Sequence, residues 1–181
     1  MNEIIANLLQ LIQLKSAKLY LHSQQVANYA VSTAAKMRLP REEIERIRVA
    51  ALLHDLGHVT VPNAILAKLP YLSTREMSTF KNHCNAGSYM LENMASCQEL
   101  IPYIRYHHER WDGTGYPKRL KGVNIPLGAR IIAVVNHYDR FINPCTQNWE
   151  KTKGEAVREL FSLSGTAFDP DVVRAFIEAL G

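Results

Sequence analysis

The sequence predicts an all-α fold, a single bundle of about seven or eight helices. Three observations point there. Apolar residues recur at helical spacing through nearly every segment, and helix-capping signals punctuate the chain. Its size and balance also suit one core, at 181 residues with 47% apolar and 21% charged.

Taken in order, residues 1–14 are apolar at helical spacing with Glu3 near the start. No basic leader or small-residue cleavage site accompanies them, so they read as a packed helix rather than a secretion signal. Leu19, Val26, Tyr29, Ala30 and Thr33 form one face of a long second helix, with His22 on or beside it. After Pro40, Glu42 and Glu43 occupy a first turn, and Ile44, Ile47 and Ala51 carry that helix to His54, with Gly57 as its stop. Residues 59–72 contain Pro62 and Pro70 and read as a loop with one short helix. Ser73 and Glu76 form a capping box, from which a helix is expected to run past His83 to Met94. Residues 98–108 are helical, with Pro102 tolerated near the first turn. Residues 110–126, rich in Gly and Pro, make the long loop. Residues 127–141 are apolar and helical, residues 150–163 follow, and Asp169-Pro170 caps a last helix to Leu180. One domain over 1–181 is expected, with an N-terminal helix over 1–15, a core over 16–145 and C-terminal helices over 146–181.

Composition excludes several classes. The net charge of +4 is carried by scattered basic residues, which predicts no nucleic-acid polymer as partner. No apolar run approaches bilayer length, so no membrane association is expected. Cys84, Cys97 and Cys145 are odd in number and widely spaced, which suits a reducing, cytoplasmic setting. Walker A, GxGxxG and GxSxG strings do not occur.

The histidines carry the chemistry. His54 is followed directly by Asp55, and His107 directly by His108, both at the ends of apolar helices. A polar group buried in such a place costs about 1–3 kcal/mol unless it finds partners. With His22 and His83, these side chains offer imidazole nitrogens and a carboxylate, a donor set suited to divalent Mn, Fe, Co, Ni or Zn. Two carboxylate oxygens let Asp55 bridge a pair of ions, the arrangement that serves displacement at phosphorus.

The order and spacing of these residues resemble the HD-GYP branch of the HD superfamily of metal-dependent phosphohydrolases over nearly the whole chain. The matching segments are His22-Ser23, Ala50 to His58 with His54-Asp55 at its centre, and Lys81-Asn82-His83. They continue with His107-His108-Glu109-Arg110-Trp111-Asp112-Gly113-Thr114-Gly115-Tyr116-Pro117, then Gly122, Ile125-Pro126, Ala129-Arg130-Ile131, Gly165 and Phe168-Asp169-Pro170. The resemblance implies an HD-type helical bundle around two divalent ions, iron or manganese first, with nickel, cobalt or zinc as alternatives. It implies a cyclic dinucleotide substrate, chiefly cyclic di-GMP, or another phosphate ester, and signalling-protein partners. Carried over by position, His22, His54 and Asp55 match ligands of one ion, and Asp55, His83, His107 and His108 those of the other. Asp55 and His58 fall at catalytic positions, and Asp112, Gly113, Gly115, Tyr116, Pro117 and Arg130 at substrate-facing ones.

Departures from the pattern accompany the matches. His58 stands where the family has a lysine, and Asn136 where it has an aspartate that completes one metal's shell. Ile142-Asn143-Pro144-Cys145-Thr146-Gln147 replaces an arginine-bearing segment that contacts nucleotide in the family. Three functions therefore stay open: a cyclic dinucleotide phosphodiesterase with reduced activity, a degenerate nucleotide- or metal-binding module that works through protein contacts, and a phosphohydrolase for another ester.

Overall fold

A computed structural model describes residues 3–143 and 151–181. Its helices are α1 (Glu3–Lys15), α2 (Ala17–Lys36), α3 (Arg41–Leu53), α4 (Asn63–Leu66), α5 (Thr74–Lys81), α6 (His83–Leu91), α7 (Ile101–Arg105), α8 (Leu127–Ile142), α9 (Lys153–Leu163) and α10 (Pro170–Leu180). Short 3-10 turns cover Leu56–Thr60, Ala95–Leu100 and Gly122–Asn124. Among the described residues the only β feature is a single bridge between Ser164 and Phe168. The all-helical expectation holds.

The long helix α2 is the axle of the bundle and packs against α1, α3, α8 and α10. Its inward face is mostly small, with Val26, Ala27, Ala30 and Ala34 beside the buried Ser23 and Thr33, which lets α3 approach closely through Ala50 and Ala51. Tyr29, Tyr138 and Phe176 meet edge to face where α2, α8 and α10 converge. The core that results is continuous from Ile5 of α1 to Phe176 of α10. Ser73 and Glu76 complete their box and Asp169 accepts from Asp171 N, as the sequence signals predict, and Ser16 adds a cap by accepting from Leu19 N.

Two of the local departures from expectation shape the site most, while the helix expected over 98–108 shortens to α7 behind a 3-10 turn. The helix opened by Ser73 does not run through to Met94; it breaks at Asn82 into α5 and α6. His83 Nδ1–H takes the Phe80 carbonyl, the acceptor that a continuous helix would use for a backbone N–H one turn on. Similarly, α3 stops at Leu53 rather than at Gly57, so His54 becomes its C-cap and Asp55 leads into a 3-10 turn. Such breaks, with the short α4, raise the helix number above the seven or eight expected.

Gly57 belongs to a different contact. A Cβ there would stand 1.9 Å from the His83 carbonyl oxygen, and one on Gly87 would stand 2.9 Å from Gly57 N. The two glycines let the turn after Asp55 lie directly on α6, which brings Asp55 to His83. Residues 144–147, the 145/146 boundary and Glu150 fall outside the described residues. Among the described residues no helix is long and apolar enough to cross a membrane.

Candidate metal centre

His54, His83 and His107 share one local device. His54 caps α3, His83 opens α6, and His107 lies in the turn after α7. Each ring donates Nδ1–H to the carbonyl three residues back, at Ala51, Phe80 and Ile104, all at 2.7 Å. A carbonyl only accepts, so the neutral ring is fixed in the tautomer whose Nε2 carries a lone pair. His22, on α2, is set the same way by donating Nδ1–H to Asp139 Oδ2 at 2.5 Å.

These lone pairs converge on Asp55, which is fully buried. On its Oδ1 side stand the Nε2 atoms of His58 at 3.3 Å, His83 at 3.6 Å and His107 at 3.9 Å. On its Oδ2 side stand His54 Nε2 at 3.3 Å and His22 Nε2 at 3.9 Å. Asp55 Oδ1, His54 Nε2 and both nitrogens of His58 are buried without a hydrogen-bond partner. His83 and His107 bring their Nε2 atoms to 3.5 Å of each other. Acceptors facing acceptors in a dry interior are unfavourable by themselves. A divalent cation resolves them: with bonds of ~2.1 Å, tetrahedral donors lie ~3.4 Å apart, close to these spacings.

Three donor groups can be traced, each with its atoms within 4.8 Å of one another: His22, His54 and Asp55; Asp55, His58 and His83; and His83, Cys84, His107 and His108. Every expected histidine is therefore gathered here. Asn136 also reaches the site, its Oδ1 lying 3.0 Å from His22 Nε2. Sequence reasoning gave no site role to three participants, Asp139, Cys84 and Arg140. Cys84 was counted only among the scattered cysteines, yet its Sγ lies 3.5 Å from His83 Nε2. Arg140 donates Nη2–H to Asp55 Oδ2 at 2.6 Å and Nε–H to Asn136 Oδ1 at 2.9 Å. The available signal was its position four residues after Asn136, on the same face of α8.

The Gly- and Pro-rich loop that follows His108 lies beside this cluster. Glu109, buried, accepts from Lys118 N at 2.6 Å and Leu120 N at 3.0 Å, folding the loop back on itself. Asp112 accepts from Thr114 N at 2.9 Å and from Arg110 Nη2 at 2.9 Å, and Gly113 has φ of 84°, so these two shape the turn. Gly115 is pressed against the chain, since a Cβ there would stand 2.3 Å from Arg110 N. Tyr116, joined to Pro117 by a cis bond, stacks on His108 with ring centroids 4.9 Å apart, and Lys81 Nζ sits over its ring at 5.1 Å. A cleft of about 380 Å³ opens here, lined by Lys81, His107, His108, Gly115, Tyr116 and Arg140 among others. Arg130 does not line it. Its guanidinium is engaged by the buried Asp169 carboxylate and the Ile125 carbonyl, so it braces the start of α10 rather than facing a substrate.

A family model described as HD domain matches residues 7–172. The chain belongs to that family. The HD domain is 33% identical over 178 residues to "Cyclic di-GMP phosphodiesterase" of Thermotoga maritima, covering 97% of this chain and 48% of the relative. It is 36% identical to "Cyclic di-GMP phosphodiesterase PA4108" of Pseudomonas aeruginosa, covering 96% and 42%. "3'3'-cGAMP-specific phosphodiesterase 2" of Vibrio cholerae is 31% identical, with 97% and 34% covered. The chain thus spans about half or less of the curated relatives it matches. Among solved structures, an HDG"Y"P protein from Bdellovibrio bacteriovorus superposes with a TM-score of 0.73 at 24% identity, over 89% of this chain and 52% of that one. At that identity the likeness concerns the fold alone.

Electrostatics of the HD domain's site follow from its burial. Desolvation opposes ionisation of Asp55, but facing His54, His58 and Arg140 hold its carboxyl well below the usual range. Of these three, Arg140 is the only permanent cation. Burial pushes His83 down to about 4 and holds His107 and His108 well below the ordinary imidazole value. These rings take up protons more readily when unfolded, so their contribution to stability is complete above pH ~6.5 and is lost as pH falls toward 4. For His83 alone the loss is on the order of 3 kcal/mol. Melting in chelator between pH about 7.5 and about 4.5 is expected to show a fall of several degrees. A flat profile would remove the case that these rings are buried and neutral.

Proposed function

We propose that this HD domain is a metal-dependent phosphodiesterase that opens cyclic di-GMP or a related cyclic dinucleotide in a reducing cytoplasm. The observation that carries this reading is the convergence of imidazole Nε2 atoms on the unpartnered Oδ1 of Asp55, beside a cleft with cationic walls. His22, His54, Asp55, His83, His107, His108 and Asn136 occupy the positions that would hold divalent ions, iron or manganese by preference, with the number of ions taken up below. Ions held there would supply Lewis acidity to a phosphate ester and would make water nucleophilic at neutral pH.

The chain's own residues have distinct parts. Asp55 supplies the buried negative charge, and the four keyed imidazoles hold their lone pairs toward it. His58 stacks on His83 at 4.2 Å and turns Nε2 to Asp55 Oδ1, so it joins the donor set instead of standing in the cleft as a lysine would. Asp139 positions His22 by fixing its tautomer. Lys81 and Arg140 offer positive charge to the phosphates of a dianionic substrate. Tyr116, held against His108, offers its ring to a base. Identity to the phosphodiesterases named above supports the substrate class. The Arg140–Asp55 ion pair supports a second reading, a nucleotide- or metal-binding signalling module without turnover.

One experiment separates them. Protein loaded with iron or manganese is offered cyclic di-GMP, cyclic GMP-AMP and a generic phosphodiester, and products are resolved by chromatography. Linear dinucleotide formed only by the loaded protein is the expected result. Metal retained with no hydrolysis of any of the three would favour the module, and hydrolysis of the generic ester alone would redirect the substrate assignment.

A further inference from the structure

The two sides of the Asp55 carboxylate are not equivalent. Oδ1 has no hydrogen-bond partner and faces His58, His83 and His107. Oδ2 is held by Arg140 Nη2 at 2.6 Å, and the same guanidinium uses Nε to hold Asn136 Oδ1 at 2.9 Å. Those two atoms are side-chain oxygens that the His22/His54 side presents toward an ion, whereas Asp139 Oδ2 is spent on His22 Nδ1. One planar cation thus spans both oxygens with its forked donors, a geometry that lysine or a solvated ion does not supply.

Charge counting points the same way. A carboxylate at position 136 would add an anion to this side; asparagine adds none. The carboxylates in contact with the side are then Asp55, which both sides share, and Asp139. Two divalent ions together with the guanidinium would set an excess of positive charge against those two groups in a buried setting. With Arg140 in place and one divalent ion on the Oδ1 side, the same two carboxylates face three positive charges instead of five.

Resting on the metal-site reading above, we infer that Arg140 is a built-in replacement for one of the two cations. The HD domain holds a single divalent ion, on the Asp55 Oδ1, His58, His83 and His107 side, and a fixed guanidinium on the His22/His54 side. Asn136 and Arg140 act as a pair, one removing the charge that would recruit an ion and the other occupying its oxygens.

Manganese is the probe. The 181-residue chain is saturated with Mn(II), freed of excess ion by gel filtration, and read by elemental analysis and by electron paramagnetic resonance. Wild type is expected to retain about one equivalent with the signal of an isolated ion. Arg140→Ala combined with Asn136→Asp is expected to retain about two, with the signature of an exchange-coupled pair. Arg140→Met, which keeps length without charge, controls for packing and is expected to leave the fold intact by circular dichroism. Two coupled ions in wild type would overturn the inference and leave the phosphodiesterase reading standing. A folded double variant that still takes one ion would overturn it too. No retained ion in wild type would sink this inference together with the metal-site reading.

Discussion

Asp55→Ala is expected to abolish retention of divalent metal and reduce hydrolysis of cyclic dinucleotides to background. The carboxylate is the one anion toward which His22, His54, His58, His83 and His107 all turn their Nε2 atoms. Loss of a residue that merely orients a ligand lowers metal affinity by about 10–100-fold, so loss of the central carboxylate is expected to exceed about 100-fold. Isothermal titration with Mn(II) measures this directly. The fold should survive, because Arg140 is about a third exposed and can turn its guanidinium to water once its partner is gone. Asp55→Asn retains the shape and isolates the charge. Metal affinity unchanged in either variant would mean that the cluster is not a metal centre.

Gly57→Ala is the second large effect, and it acts through the backbone. An added methyl would stand 1.9 Å from the His83 carbonyl oxygen and 2.7 Å from Gly87 N. Both are main-chain atoms of α6, so no side chain can yield; the turn carrying Leu56–Thr60 must lift off the helix. Overpacking of this kind costs about 1–3 kcal/mol, and a main-chain clash belongs at the upper end. For a chain of this size that is a fall in Tm of roughly 6–12 °C. Because the same contact brings Asp55 to His83, metal affinity should fall with stability. A variant that melts like wild type would show that the turn and α6 are not tightly apposed.

Much of this was legible in the sequence, for identifiable reasons. Ser73 with Glu76 and Asp169 before Pro170 are local signals, and the structure forms both caps as read. His54-Asp55 and His107-His108 were informative because charged or polar pairs at the ends of apolar helices must find partners, and in the structure they converge with donor atoms left open toward a shared centre. The break at Asn82 was hidden because neither proline nor glycine marks it; the competing acceptor is created by His83 itself. Arg130 matched a family position, but a buried Asp169 claims its guanidinium, a contact 39 residues away in the chain that no local pattern shows. Arg140 was overlooked because an arginine near the end of an amphipathic helix ordinarily faces solvent. Only the placement of Asp55 opposite α8 draws it inward.

The Nδ1 contacts of His54, His83 and His107 have a further meaning for how the protein matures. Each ring is aimed by a carbonyl of its own turn, so the pocket's orientation is written into three separate helix ends and needs no ion to establish it. The ordering entropy of these side chains is settled during folding, not at capture. Protein freed of divalent ions by a chelator is therefore expected to keep its helical circular dichroism, with these three rings already aimed.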